Sequence, residues 1–226
     1  MHDFIVGRPP AWPAGVPSTG LNYVLAVICI LCGLAIIFDS GGRIGALAIG
    51  FVILITSFLI RYLPSLIHAS KAEDILWALN AYKTLALSGS AFIVAASFPA
   101  ARAGSNEKLA FTGSILLALF LILGGIAHFH FADFVKDFIP AYVPFHVFWT
   151  YFCGVALIAG GIGIIIRPTR YLAALLSGIM ILGWFILLHI PRFKANPNDV
   201  SDRMGLCESF AFAGALFVLA AISRRK

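Results

Sequence analysis

Val147–Ile166, VFWTYFCGVALIAGGIGIII, is an uncharged run of 20 residues between His146 and Arg167. A helix rises about 1.5 Å per residue, so a run of this length crosses the roughly 30 Å hydrocarbon layer of a bilayer. Working outward, apolar runs bounded by charges and by proline or glycine recur at Leu21–Phe38, Ile44–Tyr62, Ile75–Phe98, Leu109–His128, Tyr171–Ile190 and Gly205–Ile222. The pattern predicts an all-α fold, a polytopic membrane helix bundle of about seven transmembrane helices.

Composition agrees with the spans. Of the 226 residues, 61% are hydrophobic and 12% charged, whereas a soluble domain carries about 25% charged residues. The chain is therefore read as a single membrane domain over 1–226. Too little length remains for a sizeable aqueous domain, so catalysis confined to one is excluded. The net charge of +6 comes from basic residues scattered along the chain, not from a basic stripe, which excludes nucleic acid as a partner and leaves the lipid bilayer. The four cysteines lie mostly in apolar stretches and do not form a secreted disulfide framework. Met1-His2-Asp3 lacks the basic start of a signal peptide, so the first span is expected to be retained.

The connections fall into two classes. Asp39–Arg43, Pro99–Lys108 and Arg167–Arg170 are short and plain; the N-terminus to Gly20, Leu63–Asp74, Phe129–His146 and Pro191–Met204 are longer and chemically richer. Basic residues are equal in number on the two faces. Those on the plain face sit in short segments close to helix ends, where the positive-inside bias acts, which puts that face and the C-terminus in the cytoplasm. On the rich face, Phe131, Phe134, Val135 and Phe138 recur at helical spacing while Asp133, Lys136 and Asp137 fall opposite. That pattern suits a short helix in the membrane interface.

Sliding the chain on itself by 127 positions aligns Gly33 with Gly160, Arg43 with Arg170, Phe58 with Phe185 and Pro64 with Pro191; a shift of 125 aligns Gly89 with Gly214 and Phe92 with Phe217. Two parallel repeats follow, a degenerate first copy at 1–98 and a second at 109–223 that keeps an additional lead-in helix. The same alignment pairs Lys83 with Glu208. A lone charge within a span costs about 2.5–3.5 kcal/mol. These two either pair, locking the halves or binding a ligand, or snorkel to the interface.

All six histidines, His2, His68, His128, His130, His146 and His189, map to the rich face. His128 ends one span, His146 begins the next and His189 ends another, so these three are the candidates for a shared pocket, with Lys83 and Glu208 setting local charge. Neutral imidazoles at helix ends suit a transition metal or haem; the bland alternative is that they hydrogen-bond helix ends at a wet interface. His128 and His130 would point to nearly opposite helix faces, so both ligate only if the helix breaks at Phe129. Trp77, Trp149 and Trp184 with nearby tyrosines suit either a pocket for a planar quinone or an aromatic belt. Cys29-Ile30-Leu31-Cys32 has C-x-x-C spacing but lies inside a span without a second, loop-borne pair, which favours packing over thiol catalysis.

Gly124-Gly125-Ile126-Ala127-His128-Phe129, Phe138-Ile139-Pro140-Ala141-Tyr142-Val143-Pro144, Trp149-Thr150-Tyr151 and Arg167-Pro168-Thr169-Arg170 together resemble the DoxX-like membrane family. The resemblance covers roughly 110–223. It implies a four-helix unit in a bacterial inner membrane, with some members linked to quinone-dependent sulfur oxidation or to redox complexes with a protein partner. His128 matches the family's G-x-x-H. The acidic residue often found three positions after the glycine matching Gly154 is Leu157 here, which departs from that pattern. The leading expectation is a membrane redox component binding a small cofactor or quinone near the non-cytoplasmic face. The alternatives are a non-enzymatic scaffold or assembly factor, and a small-solute carrier.

Overall fold

The computed structural model describes residues 17–64, 74–100 and 104–224. His2 and His68 lie outside them. The helices are α1 (Ser18–Ile37), α2 (Gly42–Val52) with a π-helical continuation Ile53–Tyr62, α3 (Asp74–Ser97), α4 (Ser105–His130), α5 (Ala132–Phe138), α6 (His146–Ile165), α7 (Arg170–Trp184) with a π-helical continuation Phe185–His189, α8 (Ile190–Ala195) and α9 (Val200–Arg224). There is no strand among the described residues.

Among the described residues, six helices are long and apolar enough to cross a membrane: 19–37, 42–60, 105–130, 146–165, 170–195 and 200–224. The chain is an integral membrane protein by this measure. The expected span at Ile75–Phe98 forms the helix α3 but is not one of the six. Its apolar run is interrupted by Asn80, Lys83, Thr84, Ser88 and Ser90, and of these Asn80, Thr84, Ser88 and Ser90 are buried. The hydroxyls are satisfied inside the protein: Thr84 donates to the Asn80 carbonyl, Ser90 to that of Ala86, and Ser88 to that of Gly50 on α2.

Two compact units divide the chain between Leu117 and Ala118, inside α4. In the first, α2 packs against both α1 and α3. Apolar burial drives little association between helices in lipid, so close backbone approach takes over. A Cβ on Gly45 would sit 2.8 Å from the Cys32 carbonyl oxygen, and one on Gly50 would meet the Phe92 ring at 2.5 Å. Gly89 of α3 and Gly113 of α4 face each other backbone to backbone in the same way.

Arg43 closes this unit at its plain end. Its guanidinium donates to the carbonyls of Ala95 (3.0 Å) and Phe98 (3.5 Å), to Ser105 Oγ (3.2 Å) and to Asn106 Oδ1, and Asn106 donates in turn to Phe98 O at 2.8 Å. The last carbonyls of a helix lack intrahelical donors, and a cation there also meets the negative end of the helix dipole. Arg43→Ala is expected to cost about 2 kcal/mol, since hydrogen bonds to a charged group carry about 1.5–3 kcal/mol. Thermal unfolding in detergent measures it, and Arg43→Lys is expected to recover only part, because lysine lacks the planar fork.

In the second unit α7 packs against α6 and α9. A Cβ on Gly178 would meet the Phe217 ring at 2.9 Å, and Gly160 lies against Ser177 Oγ. Both π-helical stretches precede a proline, Pro64 and Pro191. Proline has no N–H for the carbonyl four residues back, and its ring crowds that carbonyl, which favours a locally widened helix. For Pro191 the orphaned carbonyl is that of Leu187, and the Tyr142 hydroxyl donates to it. In the first stretch Thr56 donates to the Val52 carbonyl at 2.6 Å.

Candidate site: an uncharged cavity in the second unit

Between α5, α6, α7 with its π-helical end, and α9 lies a partly open cavity of about 270 Å³. One helix face supplies Trp149, Thr150, Cys153 and Leu157 from α6; this is an i, i+3 or i+4, i+7 or i+8 stripe on a helix that is apolar all round. Across it, α7 brings Met180, Ile181 and Trp184. The two indoles meet edge to face, with centroids 5.9 Å apart at 84°, and Trp184 Nε1 donates to Cys153 Sγ at 3.0 Å. Electrostatically the wall is neutral, because no Lys, Arg, Asp or Glu lines it.

The histidines separate. His128, at the end of α4, lines the cavity, and its Nδ1 donates to the Gly124 carbonyl at 2.7 Å. A carbonyl cannot donate, so the proton is on Nδ1, and in the neutral imidazole the lone pair is then on Nε2. Close approach of α4 and α6 puts it there: a Cβ on Gly154 would lie 3.1 Å from the Cβ of His128. His189 lines the cavity from the π-helical turn and lies flush against α9, where a Cβ on Gly205 would be 2.8 Å from its Nδ1.

His146 does not join them. It begins α6, and its Nε2 donates to the Pro140 carbonyl at 3.2 Å. His130 is exposed with its ring edge-on to Phe131, and α4 continues unbroken through Phe129. The expected metal set of His128, His146 and His189 is therefore not assembled: among the described residues no three His, Cys, Asp or Glu side chains are gathered so that they could hold a metal ion. Lys83 lies in α3 of the first unit and Glu208 in α9 of the second, and neither lines the cavity. Cys29 and Cys32 are free thiols on α1.

α5 covers one side. Phe134, Val135 and Phe138 turn into the cavity, while Asp133 and Lys136 form an exposed pair at 2.7 Å. Lys136 holds the Asp133 carboxyl below its usual range by a hydrogen bond and by its charge. The amphipathic pattern expected for a membrane-interface helix thus serves to cover a void. A brace holds it: the Arg192 guanidinium stacks 3.6 Å above the Phe138 ring, and its Nε donates to Asp202 Oδ1 at 2.7 Å. Asp202 is only 3% exposed. Asp199 caps the start of α9 by accepting from the Asp202 backbone N–H at 2.9 Å.

A family model described as a domain of unknown function, DUF8561, matches residues 117–191. Every cavity-lining residue except Ser209 falls in that segment. No curated protein matches the chain, and no solved structure does.

Proposed function

We propose that this integral membrane protein holds an uncharged, lipophilic ring compound of the quinone class in the cavity of its second unit, as a membrane component of a redox system. The observation that carries the reading is the pair of indoles, Trp149 and Trp184, set with His128 and His189 around a largely apolar void. Ligand sites are typically apolar clefts of about 300–1,000 Å³ with a few placed polar groups. At about 270 Å³ this one takes a ring headgroup, and its partial opening leaves a way out for an apolar tail.

The wider architecture belongs to the same proposal. A DoxX-like bundle of seven spans in two parallel repeats is supported by the matched order in the two units. Each has a helix that turns π-helical just before a proline, and each lays a phenylalanine, Phe92 or Phe217, over a glycine of that helix, Gly50 or Gly178. A bacterial inner membrane, a cytoplasmic position for the end of α9 and a soluble redox partner are further parts of it. The resemblance would put an acid at Leu157, which lines the cavity. An apolar residue there suits a neutral occupant.

Extraction of purified protein tests the reading. Wild-type protein in mild detergent is expected to carry a lipophilic ring compound, and Leu157→Trp, which fills the void, is expected to lose most of it. Equal amounts in both preparations would mean that the compound comes from bulk lipid and would favour a scaffold. Solute uptake into proteoliposomes that is abolished by Lys83→Ala or Glu208→Ala would favour a carrier.

A further inference from the structure

Four polar groups of the cavity wall already donate their protons to partners within the protein. Thr150 donates its hydroxyl to the His146 carbonyl at 2.9 Å and Ser209 donates to that of Gly205 at 2.7 Å. Trp184 N–H is spent on Cys153 Sγ, and His128 Nδ1–H on Gly124. What these groups offer an occupant is lone pairs, at His128 Nε2, Thr150 Oγ1 and Ser209 Oγ. Thr150 and Ser209 are 1% and 7% exposed, so bulk water is not the alternative partner that it would be at a surface. Trp149 adds an indole N–H to the lining.

Given the proposed cavity occupant, on which this step rests, we infer that its polar end is a hydroxyl whose proton is donated to His128 Nε2. A hydroxyl oxygen both donates and accepts, so it satisfies the imidazole while remaining open to the indole N–H. A carbonyl oxygen accepts only. It could take the indole N–H but has no proton for the lone pair at His128 Nε2, and a buried polar group left without a partner is penalised. The neutral lining excludes a carboxylate or an ammonium at the same place, because an unpaired charge in this environment is costly. For a quinone couple the site therefore favours the hydroquinone form, and for other ligands it favours phenols over their ethers or ketones.

A naphthol and its methyl ether, nearly the same size but differing in the O–H, separate the possibilities when titrated against full-length protein in detergent, with tryptophan quenching as the readout. Wild-type protein is expected to bind the naphthol about tenfold more tightly than the ether, the scale of one net hydrogen bond. His128→Ala should bring the ratio to about one with little change in ether affinity, and His128→Gln, which keeps an acceptor, should restore part of it. Equal binding of both probes by wild type, lost in Leu157→Trp, would overturn the hydroxyl assignment and leave the cavity reading standing. A tenfold ratio that persists in His128→Ala would overturn the assignment to His128. Binding of neither probe above the Leu157→Trp level would overturn both. The wild-type ratio needs no variant to fold, so a poorly folding His128→Ala does not remove the test.

Discussion

Arg192→Ala is expected to destabilise the protein by about 3 kcal/mol in detergent, the scale of removing one partner from a buried ion pair. The size follows from what is left behind. Asp202 is 3% exposed, and its carboxylate loses the Nε donor at 2.7 Å. Because the Arg192 side chain is 32% exposed, part of the loss is tempered by solvent on that side. The same substitution removes the guanidinium stacked on Phe138, which covers the cavity from α5. Naphthol affinity is therefore expected to fall as well. Replacing both partners together, Arg192→Met with Asp202→Leu, should recover most of the stability, since no charge is then stranded. Chemical denaturation of the single and double variants measures both effects. A loss under about 1 kcal/mol for Arg192→Ala would mean that the pair is well solvated and braces nothing.

Gly125→Leu is expected to be more disruptive still, abolishing the folded second unit. A Cβ at Gly125 would lie 2.6 Å from the Gly154 carbonyl oxygen and 3.0 Å from the Ile158 backbone nitrogen. Backbone atoms of a packed helix do not move aside as a flexible side chain does. α4 and α6 would have to separate, at a cost above about 3 kcal/mol. The neighbouring glycine is the control: a Cβ at Gly124 meets nothing within 4 Å, so Gly124→Ala should leave the protein near wild type. Size-exclusion profiles and melting of the two variants make the comparison. Similar behaviour of both would contradict the close α4–α6 contact.

The bundle was legible because a bilayer imposes a simple demand, about 20 apolar residues per crossing, and the runs at Val147–Ile166 and five other places meet it. α3 shows where that rule weakens. Its buried Asn80, Thr84, Ser88 and Ser90 make a helix that suits a protein interior, and hydropathy alone does not rank it with the rest. The spacing of Phe131, Phe134, Val135 and Phe138 identified α5 and its apolar face, but not the void beneath it, which depends on how α6, α7 and α9 meet.

The candidate site was legible in its histidines and indoles and obscure in everything else. His128 and His189 are polar groups at the ends of apolar runs and Trp149 and Trp184 are amphipathic rings within them, and all four line the cavity. His146 shared that signal, but the turn before α6 directs its ring to Pro140. Thr150, Cys153 and Leu157 lie on a helix with no polar face to set against an apolar one, so periodicity could not say which stripe turns inward. Ser209 sits on another helix, 59 positions after Thr150, and only tertiary packing joins them.

The most direct measurement is an experimental structure of the protein with a bromonaphthol bound, located by the anomalous signal of bromine. The peak is expected inside the second unit, with the ring beside Trp149 and Trp184 and its oxygen at hydrogen-bond distance from His128 Nε2. A bromine peak confined to the lipid-facing surface, with the void empty or filled by side chains, would contradict the account.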